Sequence, residues 1–352
     1  MSVENLREKL GKGEAFLVVS HENRRYLTGF DSSDGFLFIT AGKSVFLTDG
    51  RYIEAAQSKV KNCDEVELLE KASEQLPAIV KQENISVVYT EEEKLSVAQF
   101  KRLCEILPCE VRAEKADCEI GAARRRKSEE EKRKIVDAQR IAERAFDHIL
   151  TFIRPGVTEK EIRLELEYYM LRNGADGLSF ETIAISGKNT SMPHGVPSEK
   201  KVESGEFITM DYGALLDGYH SDMTRTVAVG SVTDEMAKVY DTVLKAQLAC
   251  LDILAPGVSC KDADGAARKV ILEAGYGRYF NHGTGHGVGM DIHEKPSVSS
   301  RSSEILAPGD VVTDEPGIYI PGRFGVRIED MVYITGNGKE LLTNCEKSLI
   351  VL

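Results

Sequence analysis

Short apolar runs alternate with longer, more polar stretches over about the first 120 residues of the chain. Three of these polar stretches have the length of helices, at residues 52–60, 71–83 and 94–107. Runs of six residues rich in β-branched and aromatic side chains predict strands at 15–20, 35–40, 44–49 and 85–90. The alternation predicts an α/β layer domain, to which we assign residues 1–122.

A second domain, residues 123–352, begins near a run of basic residues at 124–127 that we interpret as a solvated linker. Ser128, followed by Glu131, has the spacing of a capping box, in which the two side chains satisfy free amide donors at a helix start. Apolar residues then recur at spacings of three and four over 135–149. This pattern predicts a long amphipathic helix.

The second domain contains an internal repeat. The Pro-Gly-Val-Thr turn that begins at Pro155 recurs, as Pro-Gly-Val-Ser, 101 residues later at Pro256. Each copy is typical of the end of one helix and the cap of the next. The helices that follow are expected to end near Gly174 and Gly275, again 101 residues apart, where glycine tolerates a left-handed backbone.

Carboxylates occur at matched positions of the two halves. Strand-like segments lead to Asp211 and, 104 residues later, to Glu315. A turn and a returning strand follow each of them, with Asp222 in the first half and Glu329 107 residues later in the second. One such match is ordinary turn chemistry, but four in the same order predict two pseudo-symmetric halves. Each half would contribute one hairpin with a carboxylate on either strand.

Four carboxylates brought together in a pocket of low dielectric repel one another unless cations neutralise them. A single candidate imidazole, His286, lies in the glycine-rich segment 283–289. Oxygen ligands with one imidazole favour Mn²⁺, Co²⁺ or Fe²⁺ over a thiolate-type zinc site. The glycine-rich segment lacks the strand and helix context of a dinucleotide fingerprint and the Gly-Lys-Ser/Thr of a phosphate loop.

Composition narrows the class of protein. No stretch approaches the roughly 20 apolar residues of a membrane-spanning helix, and the charged amino end is unlike a secretory signal. We therefore expect a cytoplasmic protein that has no membrane partner. The formal net charge of −12 disfavours binding to nucleic acid. The 7 cysteines show no paired Cys-x-x-Cys spacing, which indicates reduced structural thiols.

Residues 128–352 resemble the pita-bread metallopeptidase family, which includes methionine aminopeptidase, aminopeptidase P and prolidase. The resemblance rests on the motifs Met210–Gly213, Ser221–Arg225, Gly285–Gly287, Glu315–Gly317 and Arg327–Asp330. It implies an α+β chain whose C-terminal pita-bread domain follows a smaller creatinase-like α/β domain. The N-terminal segments 26–30 and 48–52 also look like the accessory domain of the proline-directed branch.

The resemblance also implies a site with two divalent cations, most simply Mn²⁺ or Co²⁺, with Zn²⁺ or Fe²⁺ as alternatives. Asp222 and Glu329 would bridge the ions, Asp211 would bind one ion, and His286 and Glu315 would bind the other. Such ions supply an activated water near neutral pH and polarise the scissile carbonyl. The resemblance places His194, His282 and His293 around the substrate, as hydrogen-bond donors and candidates for proton transfer. Arg327 would orient a ligand. Glu315 would act as the proton shuttle, with Tyr319 as an alternative.

The proline-directed branch contains two activities that act on peptides with proline in second position. Many dipeptidases of the prolidase type carry an arginine directly after a His-Glu-x-Pro segment, but here Ser297 follows Pro296. We therefore expect an Xaa-Pro aminopeptidase, with an Xaa-Pro dipeptidase as the alternative. A metal-free binding module or an amidinohydrolase is disfavoured by the complete ligand set. The resemblance also implies a homodimer.

One residue beside the ligands departs from the pattern of many relatives. Asp314 precedes Glu315, where we expect a neutral or apolar side chain. Strand alternation predicts that Asp314 points away from the metals. We interpret it as a surface or interface acid.

Overall fold

The computed structural model describes residues 3–352, which divide into two compact units with the boundary in the chain between Arg124 and Arg125. Each unit has apolar clusters of its own. In the described part of the chain, no helix is both long and apolar enough to cross a bilayer.

The N-terminal unit is a mixed six-stranded sheet with helices. Its strands are β1 (Glu14–Val18), β2 (Phe36–Thr40), β3 (Ser44–Thr48), β4 (Glu65–Leu68), β5 (Val87–Thr90) and β6 (Glu110–Arg112), in the spatial order β4-β3-β2-β1-β5-β6. Its helices are α1 (Val3–Arg7), α2 (His21–Thr28), α3 (Ile53–Lys59), α4 (Ala72–Gln82), α5 (Val97–Ile106) and α6 (Ala116–Arg125).

Side chains of β1 alternate between two apolar clusters, with Phe16 and Val18 in one and Ala15 and Leu17 in the other. A strand buried on both faces has an uninterrupted apolar sequence, which is the pattern that predicted it. The predicted helices correspond to α3, α4 and α5, with ends that differ by three residues at most. The α/β layer is therefore confirmed.

The basic run before the second unit is not the solvated linker that we expected. Arg124 is buried, and so is Lys127, whose ammonium group pairs with Glu294. Arg125 donates to both carboxylate oxygens of Asp310, at 2.7 and 2.8 Å. Buried charges are stable only when they are paired. The run therefore has a structural role.

The C-terminal unit contains four long helices and many short strands. The helices are α7 (Glu129–Phe152), α8 (Glu159–Arg172), α9 (Asp234–Ile253) and α10 (Cys260–Glu273). The strands of the first half are β7 (Gly177–Leu178), β8 (Ile183–Ser186), β9 (Glu206–Tyr212), β10 (Ala214–Leu216), β11 (Tyr219–His220) and β12 (Met223–Val229). Those of the second half are β13 (Gly285–Gly287), β14 (Glu294–Val298), β15 (Val311–Asp314), β16 (Gly317–Ile320), β17 (Phe324–Arg327), β18 (Asp330–Ile334) and β19 (Lys339–Leu341).

The caps predicted for these helices are present. Ser128 and Glu131 form the capping box of α7. Thr158 caps α8, and Ser259 caps α10, each accepting a hydrogen bond from a backbone N–H three residues later. Gly174 and Gly275 follow the two helices with φ of 105° and 88°, which only glycine adopts readily.

The internal repeat is visible in the strands. In the first half, β9 pairs with β12, and the short strands β10 and β11 lie between them in sequence. In the second half, β15 pairs with β18 in the same antiparallel sense, with β16 and β17 between them. Helices α7 and α8 pack in one apolar cluster, and α9 and α10 in another. The prediction of two similar halves, each with one principal hairpin, is confirmed.

Arg225 of β12 is a buried residue that links the two halves of the repeat by hydrogen bonds. Its side chain is 1% exposed. Its guanidinium N–H groups donate to the carboxylate of Asp330 and to four backbone carbonyl oxygens, those of Thr224, Glu329, Cys345 and Glu346. A guanidinium has five N–H donors. The buried charge is therefore fully hydrogen-bonded.

Candidate metal centre

All five predicted ligands line one cavity of about 540 Å³ in the C-terminal unit. The first hairpin supplies Asp211, within β9, and Asp222, immediately before β12. The second hairpin supplies Glu315, immediately after β15, and Glu329, immediately before β18. His286 is the middle residue of β13, which pairs with β15. The two halves of the repeat thus bring four acids and one imidazole to the same place.

Three of these residues have the spacing of a preformed cation site. One ligand atom from each of Asp222, His286 and Glu329 lies within 4.8 Å of the others. His286 Nε2 lies 3.4 Å from Asp222 Oδ2 and 3.7 Å from Glu315 Oε1. The Oδ1 atom of Asp211 is buried and has no hydrogen-bond partner. A buried carboxylate oxygen without a partner is what a cation ligand looks like before coordination.

The electrostatics of the cluster favour a bound cation. Burial raises the pKa of Asp222 to about 6 and that of Glu315 to about 7. Burial, followed by repulsion from Asp222, raises the pKa of Glu329 well above its usual range. Burial opposes the charged form of His286, but its hydrogen bond to Asp222 and the charge of Glu315 raise its pKa to about 9. Divalent cations would stabilise the ionised acids and displace the proton from the imidazole.

The second nitrogen of His286 fixes the orientation of its ring. Nδ1 lies 3.0 Å from the carbonyl oxygen of Gly287, which can only accept, so Nδ1 carries the hydrogen. Nε2 is therefore the atom available to a metal, as in most histidine ligands. The backbone N–H of His286 also donates to Thr313 Oγ1 at 3.1 Å.

Arg327 connects the ligands to the surrounding shell. Its Nη2 donates to Asp211 Oδ2 at 2.6 Å, its Nη1 donates to the Tyr319 hydroxyl at 2.9 Å, and its Nε donates to Thr224 Oγ1 at 3.0 Å. Thr224 Oγ1 in turn donates to Glu329 Oε2 at 2.7 Å. One side chain therefore orients a predicted ligand of each hairpin, directly for Asp211 and through Thr224 for Glu329.

The three predicted histidines differ in what they can offer a substrate. His282 has both ring nitrogens engaged, since Nδ1 donates to the Gly283 carbonyl (2.8 Å) and Nε2 accepts from the Tyr319 hydroxyl (2.9 Å). Burial, with a smaller effect of Arg327, lowers the pKa of His282 to about 4, so it is neutral near pH 7. The ring centroids of His293 and His286 are 4.2 Å apart. His194 is exposed at the wall of the cavity.

Sequence reasoning missed two buried residues beside the predicted ligands, one bonded to a ligand candidate and one to the segment that carries His286. Thr224 lies within the Ser221–Arg225 motif, but nothing in the motif indicates that its hydroxyl joins Arg327 to Glu329. Asp264 is fully buried in α10 and accepts hydrogen bonds from the backbone N–H and the hydroxyl of Thr284. Asp264 lies 22 residues before His286 and outside the motifs of the site, so the sequence does not indicate that the two are close in space.

Asp314 is not the surface or interface acid that we expected. It points away from the ligands but is fully buried, and neither carboxylate oxygen has a hydrogen-bond partner that meets normal geometry. Burial, followed by the charge of Asp330 across the β15–β18 ladder, raises the pKa of Asp314 well above its usual range. Cys250 lies beside it. Burial therefore favours the neutral form of this carboxyl group.

Comparison with known proteins agrees with this geometry. Residues 133–336 match the model of Metallopeptidase family M24, and residues 3–125 match the Creatinase/Prolidase N-terminal domain. The chain belongs to metallopeptidase family M24. The expected fold, a pita-bread domain preceded by a creatinase-like domain, is confirmed.

Similar M24 proteins include two dipeptidases and one aminopeptidase by name. The Xaa-Pro dipeptidase of Pyrococcus horikoshii is 36% identical over 344 residues, which cover 96% of this chain and 94% of that one. A solved Xaa-Pro dipeptidase from Bacillus anthracis is 39% identical with a TM-score of 0.95, covering 99% of both chains. The X-Pro aminopeptidase structure from Thermotoga maritima is 36% identical with a TM-score of 0.91, covering 99% of this chain and 100% of the other.

Proposed function

We propose that this M24 peptidase is an Xaa-Pro dipeptidase that holds two divalent cations with Asp211, Asp222, His286, Glu315 and Glu329. The convergence of these five side chains on one cavity carries the proposal. Sequence reasoning favoured an aminopeptidase, but the names of the Pyrococcus and Bacillus relatives support the dipeptidase alternative better. The intact ligand set argues against a metal-free binding module or amidinohydrolase.

The donor set suits hard or borderline cations, and we propose Mn²⁺ or Co²⁺ as the resident ions. When bound, a pair of such ions supplies an activated water near neutral pH and polarises the scissile carbonyl. The chain's own groups then act on the substrate. His293 and His194 are the donors available to the carbonyl oxygen as negative charge develops on it. Glu315 is the proton shuttle, and Arg327 holds Asp211 in position.

Selectivity for proline follows from the chemistry of the bond. An Xaa-Pro bond is a tertiary amide whose nitrogen has no hydrogen to donate. Apolar residues, including Phe180, Ile183, Pro193, Val196 and Ile292, line the cavity beside the ligands. Such walls accept the pyrrolidine ring without leaving a polar group unpaired.

A peptide panel tests this proposal. Purified protein is treated with a chelator, reloaded with Mn²⁺, Co²⁺, Zn²⁺ or Fe²⁺, and assayed on Xaa-Pro, Xaa-Pro-Yaa and Xaa-Ala. We expect hydrolysis of Xaa-Pro only in reloaded samples, with little cleavage of Xaa-Ala. Full activity in protein shown by elemental analysis to be metal-free, or equal rates on Xaa-Pro and Xaa-Ala, would contradict the proposal.

The second candidate is an Xaa-Pro aminopeptidase. Ser297, which lines the cavity, stands where many dipeptidases carry an arginine, and the Thermotoga relative is named an aminopeptidase. Faster hydrolysis of Xaa-Pro-Yaa than of Xaa-Pro in the same panel would select this activity. The metal centre would be unchanged by that outcome.

We also propose that the protein works as a homodimer in the cytoplasm. Helix α8 exposes an apolar stripe of Leu164, Tyr168 and Leu171, at 54%, 59% and 48%. Residues at i, i+4 and i+7 share one helix face. A contact between two copies would cover such a stripe. Sedimentation that shows an active monomer at assay concentrations would exclude the dimer.

A further inference from the structure

Two buried donor atoms at one side of the cavity have no hydrogen-bond partner. The Nε of Arg163 and the hydroxyl of Thr182 are both buried and unpaired, and both residues line the cavity that contains the ligands. Thr182 is only 2% exposed. Leaving a buried donor unpaired is unfavourable, so such groups mark a place where a ligand supplies the missing acceptor.

The two residues are held next to the metal centre by regular structure. Arg163 is on α8, which packs against β8, and Thr182 immediately precedes β8. The first residue of β8, Ile183, is directly opposite Asp211 in the sheet. Thr182 is thus the residue directly before Ile183, which pairs with Asp211, a proposed metal ligand.

The Arg163 side chain is 36% exposed and forms one long ion pair, with Glu167, which leaves hydrogen-bond donors of its guanidinium available. Its Nε lies 3.8 Å from Glu167 Oε1, which is beyond hydrogen-bond distance. Glu181 also lines the cavity and is exposed to solvent. Among the described residues that line the cavity, the other arginine or lysine is Arg327, and its guanidinium is committed to Asp211, Tyr319 and Thr224.

We propose that Arg163 and Thr182 form the subsite that binds the free carboxylate of a dipeptide substrate. The inference rests on the proposed Xaa-Pro activity and assigns its preference for dipeptides to these two side chains. In a dipeptide the carboxylate belongs to the residue directly after the scissile bond, and one residue spans about 3.8 Å. A guanidinium and a hydroxyl together offer that carboxylate charge-assisted hydrogen bonds.

This subsite also accounts for the serine at position 297. A chain without an arginine after Pro296 still needs a cation to neutralise the carboxylate of a dipeptide in a partly desolvated cavity. Arg163, which is on α8 in the first half of the repeat, supplies that charge, whereas Ser297 is in the second half. Longer peptides carry an uncharged amide at the same point and gain nothing from the guanidinium.

The test compares a charged and a neutral substrate on the same variants. Wild type, Arg163→Met, Arg163→Lys and Thr182→Val are assayed on Xaa-Pro and on Xaa-prolinamide, which lacks the negative charge. Arg172→Met is the matched control, because Arg172 is on the same helix but does not line the cavity. Each variant that cleaves Xaa-prolinamide at the wild-type rate is thereby shown to be folded.

For Arg163→Met we expect KM for Xaa-Pro to rise so that kcat/KM falls by about 10- to 100-fold, the usual effect of a charged hydrogen bond. For Xaa-prolinamide kcat/KM should change by less than about 3-fold. Thr182→Val should lose roughly 2- to 10-fold on Xaa-Pro only. Arg163→Lys, which keeps the charge, should recover part of the loss.

Equal losses on the two substrates, or no loss on either, would overturn the assignment of Arg163 and Thr182 while leaving the peptidase activity intact. Wild-type protein that cleaves neither substrate after metal loading would instead overturn the proposed function, and the subsite with it. The two failures are therefore distinguishable by the wild-type rate alone.

Discussion

At the scale of single residues, Thr224 has an effect out of proportion to its size. Its hydroxyl accepts a hydrogen bond from Arg327 and donates one to Glu329, so a single hydroxyl group holds both the guanidinium and the carboxylate in position. Thr224→Val keeps the shape and removes both hydrogen bonds. We expect metal affinity and kcat/KM to fall by about 10- to 100-fold, as for other residues that orient ligands. Titration with Mn²⁺ checks the first effect, and an unchanged affinity would contradict the role.

Asp222 offers a second test, in which activity should fall without a loss of stability in the chelated protein. Asp222→Asn removes one charge from a cluster of buried acids, so the chelated variant should unfold at a temperature no lower than that of wild type. The same change removes a ligand, and turnover should fall by at least roughly 10²-fold. Elemental analysis and thermal unfolding of chelated protein check both effects. Wild-type metal content would show that Asp222 is not a ligand.

The convergence of the four acids on one cavity could be predicted from the sequence because their spacing repeats between the two halves, and the glycine-rich segment 283–289 singled out His286. Thr224 and Asp314 could not, for different reasons. A threonine in a strand is ordinary, and only the three-dimensional path of Arg327 gives its hydroxyl a role. Asp314 was expected to face outward from the ligands, as it does, but β18 and Cys250 cover that face. Alternation along a strand predicts direction, whereas burial depends on what packs there.

At the scale of secondary structure, strand β13 requires glycine on either side of His286. A Cβ at Gly285 would clash with the carbonyl oxygen and the hydroxyl of Thr313, the same hydroxyl that accepts from the His286 N–H. Gly285→Ala should therefore displace β13, lower the free energy of unfolding by roughly 1–3 kcal/mol and weaken metal binding.

Gly265 provides the matched control for this substitution. It lies within α10 and is exposed, and a methyl group added there would meet no neighbouring side chain or strand within 4 Å. Gly265→Ala should stabilise the protein by about 0.5–1 kcal/mol, because alanine is the better helix former. Chemical unfolding and metal content of both variants check the pair. Equal effects would mean that the clash at β13 relaxes without cost.

Two strands of the N-terminal sheet that the sequence patterns did not predict share one property. Strands β4 and β6 have the sequences EVEL and EVR and lie at the two edges of the N-terminal sheet. Edge strands are short and charged in many proteins, which prevents pairing with other chains, and such residues resemble a loop in a hydropathy pattern. The central strands β1, β2, β3 and β5 are apolar and were predicted.

At the scale of the whole molecule, the metal centre should determine how stability depends on pH. The pKa values of Asp222, Glu315 and His286, about 6, 7 and 9, are all above their usual values. The folded, chelated protein therefore holds more protons than the unfolded chain, and its stability falls as pH rises from about 4.5 to 9. A cation binds the deprotonated form of the ligands, so the stability that it adds to the folded protein is largest at the upper end of this pH range.

Thermal unfolding at pH 5 and pH 8, with Mn²⁺ and with chelator, measures this dependence. We expect the increase in Tm caused by Mn²⁺ to be several-fold larger at pH 8. Asp222→Asn should reduce that difference. An increase in Tm that is independent of pH would mean that the raised pKa values do not belong to the metal ligands.

Arg225 has a further consequence, which concerns native-state hydrogen exchange. By donating to Glu329 and Asp330 from β12, it joins strands that belong to different halves of the repeat. Opening the second hairpin alone would take the Glu329 carbonyl and the Asp330 carboxylate, two of its five acceptors, away from a buried guanidinium, which is unfavourable. The amide hydrogens of β12 and β18 should therefore exchange together, through unfolding of the entire C-terminal unit. The two halves of the repeat would thus unfold as a single cooperative unit.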